Sequence, residues 1–110
     1  MELSHAATLT GAILVVGSAE KKISGGYTSD LLSDVMAHAK TGDALVTIQA
    51  HKNTVAVASL VGAPAIFICN NRPIPEDMIE AAAAEDIALL KTALSQFEAS
   101  GRLWSAFSPS

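Results

Sequence analysis

Three times in the second half of the sequence, a short apolar run ends in a polar turn that holds a cation, and a helix-like segment follows. Leu45 to Gln49 leads to His51, Lys52 and Asn53; Ala65 to Cys69 leads to Asn70, Asn71 and Arg72; Ile87 to Leu90 leads to Lys91 and Thr92. Runs this short, apolar and partly β-branched read as strands buried on both faces. Strand, turn and helix in repetition predict a parallel sheet with helices on its faces, because parallel neighbours need a crossover between them. The three turns then open at one sheet edge, where α/β folds place their ligands.

The rest of the chain is read around this cadence. Leu3, Ala6, Ala7 and Thr10 share one face of a first helix that Gly11 ends. Ala12 to Gly17 is an apolar run expected to form a buried strand, Ile23 begins a short second strand, and Gly25-Gly26 reads as a tight turn. Leu31, Leu32, Val35, Met36 and Ala39 fall at helical spacing, with Ser29 as N-cap and Gly42 as stop. Asn53 is expected to cap a helix through Leu60 that is apolar on almost its whole circumference. Pro75-Glu76-Asp77 begins the next helix, since proline loses no bond in a first turn and acids there oppose the helix dipole. Thr92 is expected to cap the last helix, with Leu94, Phe97 and Leu103 inward; Trp104 and Phe107 form a tail that docks on the body or on a second copy.

Length and composition narrow the class. A chain of 110 residues makes one domain, 1–110, able to bury roughly 65% of its unfolded surface. Half of the residues are hydrophobic and only 16% are charged, below the roughly 25% of average soluble domains, which points to an oligomer. The net charge of −4, with nothing more basic than Lys21-Lys22, gives no footprint for nucleic acid. The N-terminus lacks a secretory pattern and no run has the roughly 20 apolar residues of a membrane span, so a cytoplasmic protein is expected. The single cysteine, Cys69, lies in a strand-like run and reads as a small core hydrophobe.

The chemistry these residues can support is binding. The residues placed at the common edge are His51, Lys52, Asn53, Asn70, Asn71, Arg72, Lys91 and Thr92, a set of cations and amides around helix N-termini suited to a small anion or nucleotide. Two or three charge-assisted hydrogen bonds at about 1.5 to 3 kcal/mol each reach the roughly 4 to 8 kcal/mol of millimolar to micromolar affinity. No Walker or dinucleotide glycine loop accompanies these turns, and no nucleophile has an identifiable base, so no catalytic residue is assigned. Asp30, Asp34 and His38 repeat every four residues on one helical stripe. A solvated polar face accounts for that spacing, and neither a metal nor a cofactor is assigned.

The block from Gly25 to Met36 (GGYTSDLLSDVM), followed by Gly42-Asp43, Thr47-Ile48-Gln49 and Asn53 to Ala58, resembles the stand-alone DRTGG-domain proteins. The likeness continues through Ile66 to Pro73, Glu76 to Ala84 and Leu94 to Glu98, nearly the whole chain. It implies an α/β domain similar to the N-terminal domain of HPr kinase/phosphorylase, with a mostly parallel sheet of four to five strands flanked by helices. Similar domains are fused to phosphotransacetylases and to CBS-domain pyrophosphatases, and some stand-alone members are associated with iron-only hydrogenase genes. The resemblance therefore implies a non-catalytic regulatory or ligand-sensing domain, homodimeric, or else a ligand-free assembly module acting on a partner enzyme. The family's Asp-Arg and Thr-Gly-Gly elements are replaced here by His51-Lys52-Asn53 and Asn70-Asn71-Arg72, which marks these turns as the place where ligand choice would differ.

Overall fold

The computed structural model describes residues 1–107. Five strands make one sheet in the order β1-β5-β4-β3-β2: β1 (Ile13–Val16), β2 (Gly25–Thr28), β3 (Asp43–Thr47), β4 (Ala65–Ile68) and β5 (Ala88–Lys91). The four strands from β2 to β5 are parallel, and β1 runs antiparallel to β5 at one edge. Helices α1 (Leu3–Thr10) and α5 (Gln96–Phe107) lie on one face, and α2 (Leu32–His38), α3 (Lys52–Val61) and α4 (Glu76–Ala84) on the other. The mostly parallel α/β architecture read from the cadence is the one observed.

The strand alternation explains the continuous apolar runs. Ala65, Phe67 and Cys69 pack with Leu3, Ala6, Ala99 and Leu103, while Ile66 and Ile68 pack with Val55, Ala58, Met78 and Ala82. Every residue of β4 is buried because helices cover both of its faces.

Several local expectations are corrected. Gly25-Gly26 is not a turn but the first half of β2, in unbroken register with Asp43 and Ala44. The run from Ala12 to Gly17 is not a buried strand: β1 is a sheet edge that leaves Ile13 71% and Val15 37% exposed. Helix α2 starts at Leu32, and Ser29 instead accepts the Leu31 N–H at 3.2 Å in the preceding turn. Of its apolar stripe only Val35 is buried, with Leu31 64% and Met36 48% exposed. Asp30 precedes that helix, so Asp30, Asp34 and His38 do not share a helical stripe.

Helix α3 is not packed all round. Thr54, Val55, Val57 and Ala58 are buried, whereas Ala56, Ser59 and Leu60 face out. The last helix runs through Gly101 to Phe107 without a break, and it turns Phe97 outward, not inward. Trp104 does not dock on the body of this chain; it is 71% exposed. Among the described residues no helix is long and apolar enough to cross a membrane.

Candidate functional site

The three cation-bearing turns do lie side by side. Strands β3, β4 and β5 are adjacent and parallel, with Thr47 opposite Ile68 and Ile68 opposite Lys91, so the chain leaves the sheet three times at the same edge. The second and third turns are bonded to each other: the Asn70 N–H donates to Leu94 O and the Asn71 N–H to Thr92 O, both at 2.9 Å. Asn70 and Asn71 hold left-handed backbones, φ 60° and 52°, a conformation that asparagine tolerates better than most side chains.

The eight predicted residues divide into two groups. His51, Lys52, Asn53, Asn70, Asn71 and Arg72 are exposed and Lys91 is half-buried, all on the edge. Lys52, Arg72 and Lys91 have no carboxylate within 4.0 Å among the described residues, where the ion pairs are Lys21 with Asp86 and His38 with Asp34. Thr92 does not belong with them. Its hydroxyl is buried, donates to Thr10 O at 2.7 Å and accepts the Leu94 N–H at 3.2 Å, so it joins α1 to the turn and cannot reach a ligand.

The capping expectations shift for the same reason. His51, not Asn53, caps α3: its Nδ1 accepts the Asn53 N–H at 3.0 Å, which requires the neutral ring proton to sit on Nε2, free to donate outward. Ser95, not Thr92, caps α5. Its hydroxyl accepts the Glu98 N–H at 3.2 Å while the Glu98 carboxylate reaches back to Ser95, a reciprocal box that closes this helix start. Helix α4 opens with Glu76 and Asp77, which repel an incoming anion. Of the three helix starts only α3, which has no acid in its first turn, favours negative charge. The candidate anion edge therefore keeps His51, Lys52, Asn53, Asn70, Asn71, Arg72 and Lys91, with Thr92 removed.

The sequence placed Asp30 on a helical stripe and did not show its part at this edge. Asp30, just past β2, accepts the Thr47 hydroxyl at 3.0 Å and the Ile48 N–H at 3.1 Å through Oδ1, and the Gln96 amide at 3.4 Å through Oδ2. It ties the ends of β2 and β3 to the start of α5. Burial, helped by the Asp30 charge, pushes the nearby Cys69 thiol up to about 11, so the cysteine stays a protonated core group. Among the described residues no group of three His, Cys, Asp or Glu side chains is placed to hold a metal ion.

A second concave surface lies along the outer edge of β2. It is a groove of about 1100 Å³ with Gly25 to Thr28 and Val46 at its floor, Phe97, Ser100 and Trp104 of α5 on one side, and His38, Lys40 and Asp43 on the other. The Thr28 and Ser100 hydroxyls meet at 2.6 Å across it. Behind it the Tyr27 hydroxyl donates to Asp34 at 2.8 Å, and the Tyr27 ring stacks on His38 with centroids 6.3 Å apart. The Tyr27 hydroxyl, with Ser29 and His38 assisting, holds the Asp34 carboxyl below the usual carboxylate range, and the same bond raises Tyr27. The sequence carried this surface only as an aromatic tail at Trp104 and Phe107.

No protein-family model and no curated protein matches the chain. A solved structure does: the CBS and DRTGG domains of the regulatory region of Clostridium perfringens pyrophosphatase, complexed with the activator diadenosine tetraphosphate. The TM-score is 0.76 at 16% sequence identity, over 98% of this chain and 47% of that one, so this chain spans about half the length of its neighbour. The chain thus has a DRTGG-like fold, as the block from Gly25 to Met36 led us to expect.

Proposed function

We propose that this DRTGG-like chain is a non-catalytic regulatory domain that senses a small phosphate-bearing ligand, a nucleotide by chemical class, and works as a homodimer. One observation carries the ligand reading. Three parallel neighbouring strands deliver Lys52, Arg72 and Lys91 to one sheet edge, and none of these cations is neutralised by a carboxylate within 4.0 Å among the described residues. The α3 start adds N–H groups and an outward His51 donor, and the left-handed Asn70-Asn71 pair presents two amide side chains beside them. The structural neighbour was solved with a dinucleotide activator, which supports a nucleotide as the first ligand to test.

Equilibrium titration of the wild-type chain with ATP, AMP and diadenosine tetraphosphate tests this reading. Micromolar to millimolar binding is expected, and Lys52→Ala and Arg72→Ala should each weaken it roughly tenfold to a hundredfold, the worth of a charge-assisted hydrogen bond. Affinity unchanged in the double variant would overturn the site.

The second reading is an assembly module that acts on a partner enzyme without any ligand, and the groove beside β2 is what favours it. Phe97 and Trp104 stand 88% and 71% exposed on that side of α5. An exposed aromatic patch of this kind marks an interaction surface. A chain that binds none of the nucleotides yet forms dimers or retains a partner enzyme would decide for this reading.

A further inference from the structure

The geometry points to a specific interface for the proposed homodimer: β2 pairs antiparallel with β2 of a second copy across a two-fold axis, with Phe97 and Trp104 of the two α5 helices packed beside the joined strands. This rests on the homodimer reading and adds to it the surface used.

The two edges of the sheet differ in a way that matters. An open edge strand invites pairing, and proteins discourage it with bulges, charges or proline. Edge strand β1 has such a device, a slip in register between Leu14 and Val16. Edge strand β2 has none: Gly25-Gly26-Tyr27-Thr28 carries no charge and no proline, and its register with β3 is unbroken.

The backbone direction follows from the ladder. In the β2–β3 register the Ser29 N–H turns inward to Val46 O at 3.3 Å, and alternate residues of a parallel strand point the same way, so Gly25 and Tyr27 bond inward while the N–H and C=O groups of Gly26 and Thr28 face the groove. The adjacent glycines leave that backbone bare, so that another strand can approach it closely.

Beside the strand, Phe97, Gly101 and Trp104 fall at i, i+4 and i+7 on α5, opposite the buried Ala99 and Leu103. The stripe is large, aromatic and rigid, the composition of an interface centre. The opposite rim carries both signs, Lys40 and Asp43, so a two-fold copy can offer each charge its complement. A strand that meets its own copy across a two-fold axis is antiparallel by symmetry. The second copy is therefore an occupant that satisfies backbone, aromatic stripe and charged rim together.

Light scattering after size exclusion, with amide hydrogen exchange on the same samples, tests the interface. The wild-type chain should be a dimer whose Gly26 and Thr28 amides exchange slowly. Phe97→Ser with Trp104→Ser, both at exposed positions and checked for unchanged circular dichroism, should raise the dissociation constant by at least about thirtyfold, as loss of a hot spot does, and speed those two amides. A double variant that remains dimeric, with fast Gly26 and Thr28 amides in the wild type, would overturn this interface and leave the homodimer standing. A wild-type chain that is monomeric at the highest attainable concentration would overturn both.

Discussion

Thr92 shows how a residue that looks like part of a site can belong to the scaffold. Its position after a strand and its capping chemistry are those of a ligand contact, yet its hydroxyl is spent on Thr10 O and the Leu94 N–H inside the protein. Thr92→Val keeps the shape and strands the Thr10 carbonyl and the Leu94 N–H. We expect a loss of about 1 to 3 kcal/mol in denaturant unfolding, with nucleotide affinity unchanged. The opposite pattern, weaker binding at constant stability, would return Thr92 to the site. At this scale the sequence was legible in position, since Lys52, Arg72 and Lys91 do follow adjacent strands to one edge, and misleading where a hydroxyl could serve either role. His51 as a cap was missed because an imidazole Nδ1 accepting a backbone N–H is an uncommon substitute for a Ser, Thr or Asp cap. Asp30 was read as part of a polar stripe, and its role as a tie was missed because its partners at Thr47, Ile48 and Gln96 come together only in the folded sheet.

Among the elements, β3, β4 and β5 were readable because strands covered on both faces must be apolar without interruption, and Ala44 to Val46, Ala65 to Cys69 and Ile87 to Leu90 satisfy that. The edges were not readable. The Gly25-Gly26 half of β2 has poor strand propensity and is held in the sheet by β3, while β1 is apolar enough to pass for a central strand although half of it faces water. Tyr27 then links β2 to α2 through Asp34. Because this bond lowers the folded Asp34 pKa, its contribution is present above the unfolded carboxylate value of about 4 and fades as pH falls through the folded value. Tyr27 is shifted the other way, so its contribution is present below about pH 10 and fades as pH rises through the folded value. Tyr27→Phe should raise the Asp34 pKa, read from its carboxyl ¹³C titration, and flatten the acid limb of the stability profile. An Asp34 titration identical in both proteins would show that the hydroxyl does not set it.

For the whole molecule, the parallel sheet separates two surfaces. Strand C-termini gather the cations of the proposed ligand edge, while the outer side of β2 and α5 gathers the bare backbone and aromatics of the proposed dimer. Asp30 and Gln96 stand where the two meet, bonded to each other at 3.4 Å and, through Asp30, to the end of β3. Ligand at one surface and association at the other would together make a regulatory domain. The direct test of that division is a backbone amide NMR titration of the intact chain with ATP or diadenosine tetraphosphate. The account predicts shifts that saturate at Lys52, Asn53, Asn70 to Arg72 and Lys91, with Phe97 and Trp104 at most indirectly affected. Shifts confined to Gly25 to Thr28 and α5, or none at all, would contradict it.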